Sequence, residues 1–192
     1  MEQLKARIRA EGKVLPGNII KVDSFLNHRV DAKLLGDLAD EFAKFFDISK
    51  VTLILTAEAS GIALATICAQ KYGIPMLFAK KAKSDNIEGG LYQSDIHSYT
   101  YKKKVTLLVS KEWFSADEKV LIIDDFMANG EAMRGLCDIV SAAGATLVGI
   151  GCAVEKGFQG GGDRLRAAGY NLKSLAIIDS AEPGNVVFRD DM

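Results

Sequence analysis

An α/β fold built on a doubly wound, mostly parallel sheet is predicted by three features of this sequence. Short apolar runs rich in β-branched residues recur along it, helical patterns lie between several of them, and no linker rich in Pro, Gly and Ser divides the 192 residues. The runs cover residues 51–56, 76–79, 105–109, 120–123, 147–154 and 175–178, and read as buried strands. Residues 31–46 set Leu34, Leu35, Leu38, Phe42 and Phe45 on one helical stripe. Residues 130–143 do the same with Ala132, Leu136, Ile139, Val140 and Ala143. Ligands of such sheets bind beyond the carboxyl ends of the strands, so the turns that follow the strands are where chemistry is expected. One domain spanning residues 1–192 is the expected organisation.

Lys and Arg total 24 against 25 for Asp and Glu, so no global field draws the chain to nucleic acid or an anionic membrane, and any anion site must be local. No run approaches the roughly 18 apolar residues of a membrane span. The charged segment 1–12 lacks the apolar stretch of a signal peptide, so the cytosol is the expected compartment. Cys68, Cys137 and Cys152 are far apart and embedded in apolar runs, which suggests buried thiols rather than a disulfide or a zinc site. Residues 80–104 break the pattern: they are polar and rich in lysine, with Gly89, Gly90, Tyr92, Tyr99 and Tyr101. They read as a long loop or ribbon of the kind that closes over a site, with a surface insertion as the alternative.

The most informative segment is 120–132. An apolar strand, Val120-Leu121-Ile122-Ile123, delivers Asp124 and Asp125, followed by Phe126-Met127-Ala128-Asn129-Gly130 and a helix. The backbone amides of Ala128, Asn129, Gly130, Glu131 and Ala132 would converge on an anion at the helix start. Two carboxylates repel a phosphate but suit sugar hydroxyls or a metal ion, and they would stabilise an oxocarbenium at an anomeric carbon. A Walker B strand looks similar, yet no G-x-x-x-x-G-K-[ST] accompanies it, and Gly149-Ile150-Gly151 lacks the third glycine of a dinucleotide fingerprint.

A second turn, Ala57-Glu58-Ala59-Ser60-Gly61, forms another candidate anion site, with Ser60 as an ordinary helix cap the plainer reading. Lys80 and Lys81 put cations near the same rim, unless they are simply solvated. Lys156 precedes Phe158 and Gly160-Gly161-Gly162, which suggests a cation above an aromatic face where a flat purine fits; a snorkelling lysine and a core Phe are the alternative. His28 and His97 are too isolated to argue a metal or nucleophilic site, and Trp113 is expected to pack or to join a subunit contact.

The segment 120–132 resembles the phosphoribosyl pyrophosphate signature of type I phosphoribosyltransferases, except that Asn129 and Ala132 stand where Thr is common. In that position Asn129 would replace a hydroxyl by its amide, and Ala132 would offer only its backbone N–H. The departure is similar to the variant in the bacterial xanthine phosphoribosyltransferase family, as are segments 22–28, 58–61 and 149–158 in the same order. The resemblance implies the type I phosphoribosyltransferase fold with a hood loop, and transfer of a 5-phosphoribosyl group to a ring nitrogen of xanthine with release of pyrophosphate. It implies Asp124 and Asp125 as catalytic, residues 128–132 for the 5′-phosphate, and Glu58, Ala59, Ser60, Gly61, Lys80 and Lys81 for pyrophosphate. Ile20, Asn27, Lys156 and Phe158 would hold xanthine. Mg²⁺ is implied, bound mainly through phosphoribosyl pyrophosphate, as is a homodimer. Another purine as acceptor, or a ligand-sensing gene regulator of the same fold, are the alternatives; residues before 51 show no helix-turn-helix for the latter.

Overall fold

The computed structural model describes residues 1–81, 90–98 and 103–190. The chain opens with helix α1 (Glu2–Glu11), a small hairpin of β1 (Lys13–Leu15) and β2 (Ile19–Lys21), a π-helical turn (Asp23–Asn27) and helix α2 (Ala32–Phe42). Then follow β3 (Leu53–Ala57), α3 (Gly61–Tyr72), β4 (Met76–Ala79), β5 (Leu91–Ser98), β6 (Lys103–Ser110), β7 (Lys119–Met127) and α4 (Glu131–Ala142). The order ends with β8 (Thr146–Lys156), α5 (Gly161–Ala167), β9 (Leu172–Glu182) and β10 (Asn185–Phe188).

Six strands form one sheet in the order β10-β9-β8-β7-β3-β4, parallel throughout except for the antiparallel edge strand β10. The expected doubly wound architecture is present because the central strands are apolar on both faces. Ile54, Leu121 and Ile123 face a core shared with Leu4, Leu35, Leu38 and Leu64 of α1, α2 and α3. Leu55, Val120 and Ile122 face the opposite way, toward Leu136, Ile139 and Val140 of α4.

Four expectations need correction. Helix α2, capped by Asp31 Oδ1 accepting from Leu34 N at 3.1 Å, ends at Phe42 rather than 46. Phe45 is 46% exposed, and the next residue, Phe46, turns back into the core beside Phe42. The two rings fill the space left by Gly149 and Gly151: a methyl group at Gly151 would lie 2.9 Å from the Phe42 ring. That pair of glycines therefore serves close packing of a helix end on a strand. The run 105–109 is not a strand of the main sheet. It belongs to β6, which pairs antiparallel with β5 in a separate ribbon. Leu107 and Ile96 pack that ribbon on α4, where Gly135 admits Ile96, and Lys80 and Leu108 exchange backbone hydrogen bonds to tie it to the end of β4. Of residues 80–104, those at 82–89 and 99–102, including Gly89, Tyr99 and Tyr101, lie outside the described residues. Of the two expectations for Trp113, packing within the chain fails: it is 66% exposed, and Phe114 is buried in its place against Tyr92. Finally, Ser60 makes no side-chain cap to α3, so the plainer reading of that serine fails.

The three cysteines are buried and unpaired, and burial pushes the Cys68 and Cys137 thiols up to about 12.

Candidate active site

A cleft of about 340 Å³ opens at the carboxyl ends of β3, β7 and β8. Strand β7 runs past the two acids to Met127, further than its apolar run suggested, because it pairs with β8 through Phe126 and Met127. Asp124 and Asp125 thus stand inside the sheet rather than after it, and both are nearly inaccessible to solvent. Burial, and then the neighbouring Asp125 carboxylate, hold the Asp124 carboxyl well above the usual carboxylate range, with Lys81 acting the other way more weakly. The Asp125 amide donates to Asp124 Oδ1 at 3.0 Å. Gly61 begins α3 directly against the Asp124 carboxylate and the Thr56 hydroxyl, so any larger side chain there would collide with the acid.

From β7 the chain enters the 128–132 loop and α4. Gly130 sits at φ 83°, a left-handed geometry that favours glycine, and turns the backbone into the helix. Asn129 Oδ1 accepts from Glu131 N at 3.3 Å, so its side chain helps close the turn. The Glu131 carboxylate faces the ribbon instead of the cleft: it takes the His97 amide at 3.3 Å and pairs with Arg134, which lowers its pKa. The Glu131 side chain is therefore turned away from an anion in the cleft, and its N–H is shared with Asn129 Oδ1.

The second turn lies opposite. Glu58 and Ser60 line the cleft, and the Glu58 carboxylate accepts from the Lys81 amide, tying this turn to the end of β4. Lys81 lines the cleft; Lys80 does not, its backbone being paired with Leu108. Ala59 and Gly61 support the turn without lining it.

On the third side stand Ile20 of β2, Asn27 of the π-helical turn and Lys156 at the end of β8. The Asn27 amide donates to Asp125 Oδ2 at 2.9 Å. Lys156 donates to the Asn18 carbonyl at 3.1 Å, and burial lowers its pKa. Its Nζ lies 5.5 Å from the Phe126 ring centroid. The aromatic partner of Lys156 in the cleft is thus Phe126; Phe158 packs against the hydrophobic core and is not among the cleft's lining residues. Sequence reasoning misses Phe126 as a lining residue because the apolar run of β7 ends before the acids, whereas the strand continues to Met127. His97, which reaches the cleft from β5, gave no signal, since nothing in the sequence showed the ribbon folding over α4.

Among the described residues, no three His, Cys, Asp or Glu side chains gather as a metal site, and no helix is long and apolar enough to cross a membrane.

Known proteins with this pattern are numerous. Residues 22–171 match the phosphoribosyl transferase domain family. A xanthine phosphoribosyltransferase of Lachnoclostridium phytofermentans is 52% identical, covering 100% of both chains. One from Bifidobacterium longum is 50% identical over 98% of this chain and 100% of its own. In fold, the chain is similar to an adenine phosphoribosyltransferase from Giardia lamblia complexed with 9-deazaadenine, with a TM-score of 0.77 at 20% identity, covering 91% of this chain and 96% of that one. The chain belongs to the phosphoribosyltransferase family, as the paired acids and the small-residue turn after them led one to expect.

Proposed function

We propose that the chain is a xanthine phosphoribosyltransferase, converting xanthine and 5-phosphoribosyl 1-pyrophosphate to xanthosine 5′-monophosphate and pyrophosphate. The observation that carries this is the Asn27–Asp125 hydrogen bond, which joins the acid pair to the third wall of the cleft. Near-complete coverage of relatives named xanthine phosphoribosyltransferase at about half identity supports the choice of base.

The amides of Ala128 to Ala132 hold the 5′-phosphate, joined by the Asn129 side-chain NH₂. Asp124 and Asp125 receive the ribose hydroxyls and stabilise the positive charge that develops as the anomeric bond lengthens. Glu58, Ala59, Ser60 and Gly61 form the pyrophosphate turn, with Lys81 in the cleft and Lys80 at its rim offsetting the leaving group's charge. Mg²⁺, when bound, would neutralise charge on the diphosphate; Asp124 and Asp125 are the carboxylates nearest to hand, and with no group of three ligands among the described residues it would be held mainly through substrate and water.

For the base, Asp125 fixes the orientation of Asn27. A carboxylate only accepts, so the amide nitrogen must face it, and the amide oxygen points elsewhere, ready for a ring N–H of an oxopurine. Lys156 donates to a ring carbonyl, Ile20 covers one face of the base, and Phe126 lies beneath the ammonium. Phe158 contributes by packing behind this wall. The ribbon β5–β6 acts as a hood that excludes water from the reacting sugar. Residues 1–192 work as one domain in the cytosol, as a homodimer, without a nucleic-acid or membrane partner.

The test pairs two measurements on one preparation: calorimetric binding of phosphoribosyl pyrophosphate with Mg²⁺, and pyrophosphate release after xanthine is added. Stoichiometric release is expected. Tight binding without turnover of any purine would replace this reading with that of a ligand sensor.

A further inference from the structure

Arg164, on α5, has no part in the roles above, yet its side chain joins the 128–130 turn of the cleft to the 157–160 loop behind it. Its Nη2 donates to the Asn129 carbonyl at 2.9 Å and its Nη1 to the Gln159 carbonyl at 3.3 Å. The two loops also touch backbone to backbone: a methyl group at Gly161 would lie 2.5 Å from the Asn129 carbonyl carbon and 2.6 Å from Gly130 N. Helix α5 is itself fixed. Arg166 donates to the fully buried Glu155 carboxylate at 2.6 and 3.0 Å, while Arg189 bridges Asp163 of α5 at 2.7 Å and Asp179 of β9 at 2.8 Å. A guanidinium on such a base holds its partner carbonyls in place.

We propose that Arg164 is a positioning residue for the donor's 5′-phosphate, acting through the Asn129–Gly130 peptide. This rests on the reading of residues 128–132 as the 5′-phosphate turn. In a trans peptide the C=O and the following N–H point in opposite directions. By gripping the Asn129 oxygen from the α5 side, Arg164 sets the Gly130 N–H to the other side, among the turn's amides, and its charge polarises that N–H toward an anion. Gly161 lies so close to the same peptide that even a methyl group in its place would collide with it, so the start of α5 backs the turn directly. Only a forked side chain reaches both carbonyls at once, so the device specifies arginine rather than any cation.

Calorimetry with ribose 5-phosphate and, separately, pyrophosphate with Mg²⁺ tests this on Arg164→Met, Arg164→Lys and the parent chain. Ribose 5-phosphate is expected to bind about tenfold more weakly to both variants, the scale of losing a hydrogen bond from a charged donor. Pyrophosphate, held by the opposite turn, should change by less than about twofold by the same reasoning. Restored affinity in Arg164→Lys means that charge alone acts, and overturns the proposal. Unchanged ribose 5-phosphate binding, or equal weakening of both ligands, overturns it as well. Gly130→Ala, which alters the turn directly, separates the two layers of inference. If it abolishes ribose 5-phosphate binding while Arg164→Met does not, only the Arg164 role falls; if it leaves binding intact, the phosphate-turn reading falls with it.

Discussion

The side of the cleft proposed to hold the donor's ribose phosphate, the donor side, and the side proposed to hold the base are built in different ways. On the donor side, consecutive residues 124–132 run from the end of β7, in the middle of the sheet, through a turn into α4, and would supply two carboxylates and a row of amides. On the base side, Ile20, Asn27 and Lys156 come from a hairpin, a π-helical turn and the end of β8. Charge-dense groups such as phosphate are held by backbone amides, which must be consecutive to converge; a flat base is read by side chains, which need only meet in space. The two sides join at the Asn27–Asp125 hydrogen bond, so the separation is not complete.

That contrast can be broken most forcefully at Asp124. Asp124→Asn is expected to lower kcat/KM by about 100-fold or more, on the scale of removing a preorganised electrostatic contact. Stability should move the other way. Burial and Asp125 raise the Asp124 pKa, so the folded chain keeps this proton to a higher pH than the unfolded chain does. Its contribution is then fullest at low pH and is lost as pH rises between the two pKa values. With the charge gone, the unliganded variant should melt higher than the parent at neutral pH. The gain over the parent should shrink as pH falls, as differential scanning calorimetry would record.

Lys156→Met addresses the base side alone. The loss of a buried charged donor predicts a fall in kcat/KM for xanthine of about tenfold or more, with KM for phosphoribosyl pyrophosphate within about twofold. A matching rise in that second KM would erase the distinction between the two sides. Asn27→Ala sits at their junction and sharpens it. Discrimination of xanthine over guanine should drop by more than about twofold, accompanied by a smaller loss of kcat as Asp125 loses its partner. Smallest of all is Ser60→Ala. Because Ser60 caps nothing, its removal should leave the melting point nearly unchanged where a true cap would cost about 1 kcal/mol, and should weaken pyrophosphate inhibition several-fold.

Much of the donor side was legible in the sequence, because its strand, acids and small-residue turn lie in one run. The six-stranded sheet was likewise foreshadowed by apolar runs, although their ends were not: β7 and β8 continue through the polar residues Asp124, Asp125, Glu155 and Lys156 because a neighbouring strand pairs with them. Residues 105–109 have the same apolar character as a core strand, and only their partner shows that they belong to a ribbon laid on α4. Exchange of Phe158 for Phe126 beside Lys156 has the same origin, since proximity along the chain favoured the former and cross-strand geometry delivers the latter. Nor did any motif mark Arg164, whose partners are backbone carbonyls 35 and 5 residues away.

The reading of the cleft as a site for phosphoribosyl transfer to xanthine is tested most directly by competition. The chain is incubated with Mg²⁺, phosphoribosyl pyrophosphate and equal concentrations of xanthine, guanine, hypoxanthine and adenine, and the nucleotides formed are separated and identified. Xanthosine monophosphate should dominate the early products. A different nucleotide in excess, or none at all, would contradict the assignment of the base side.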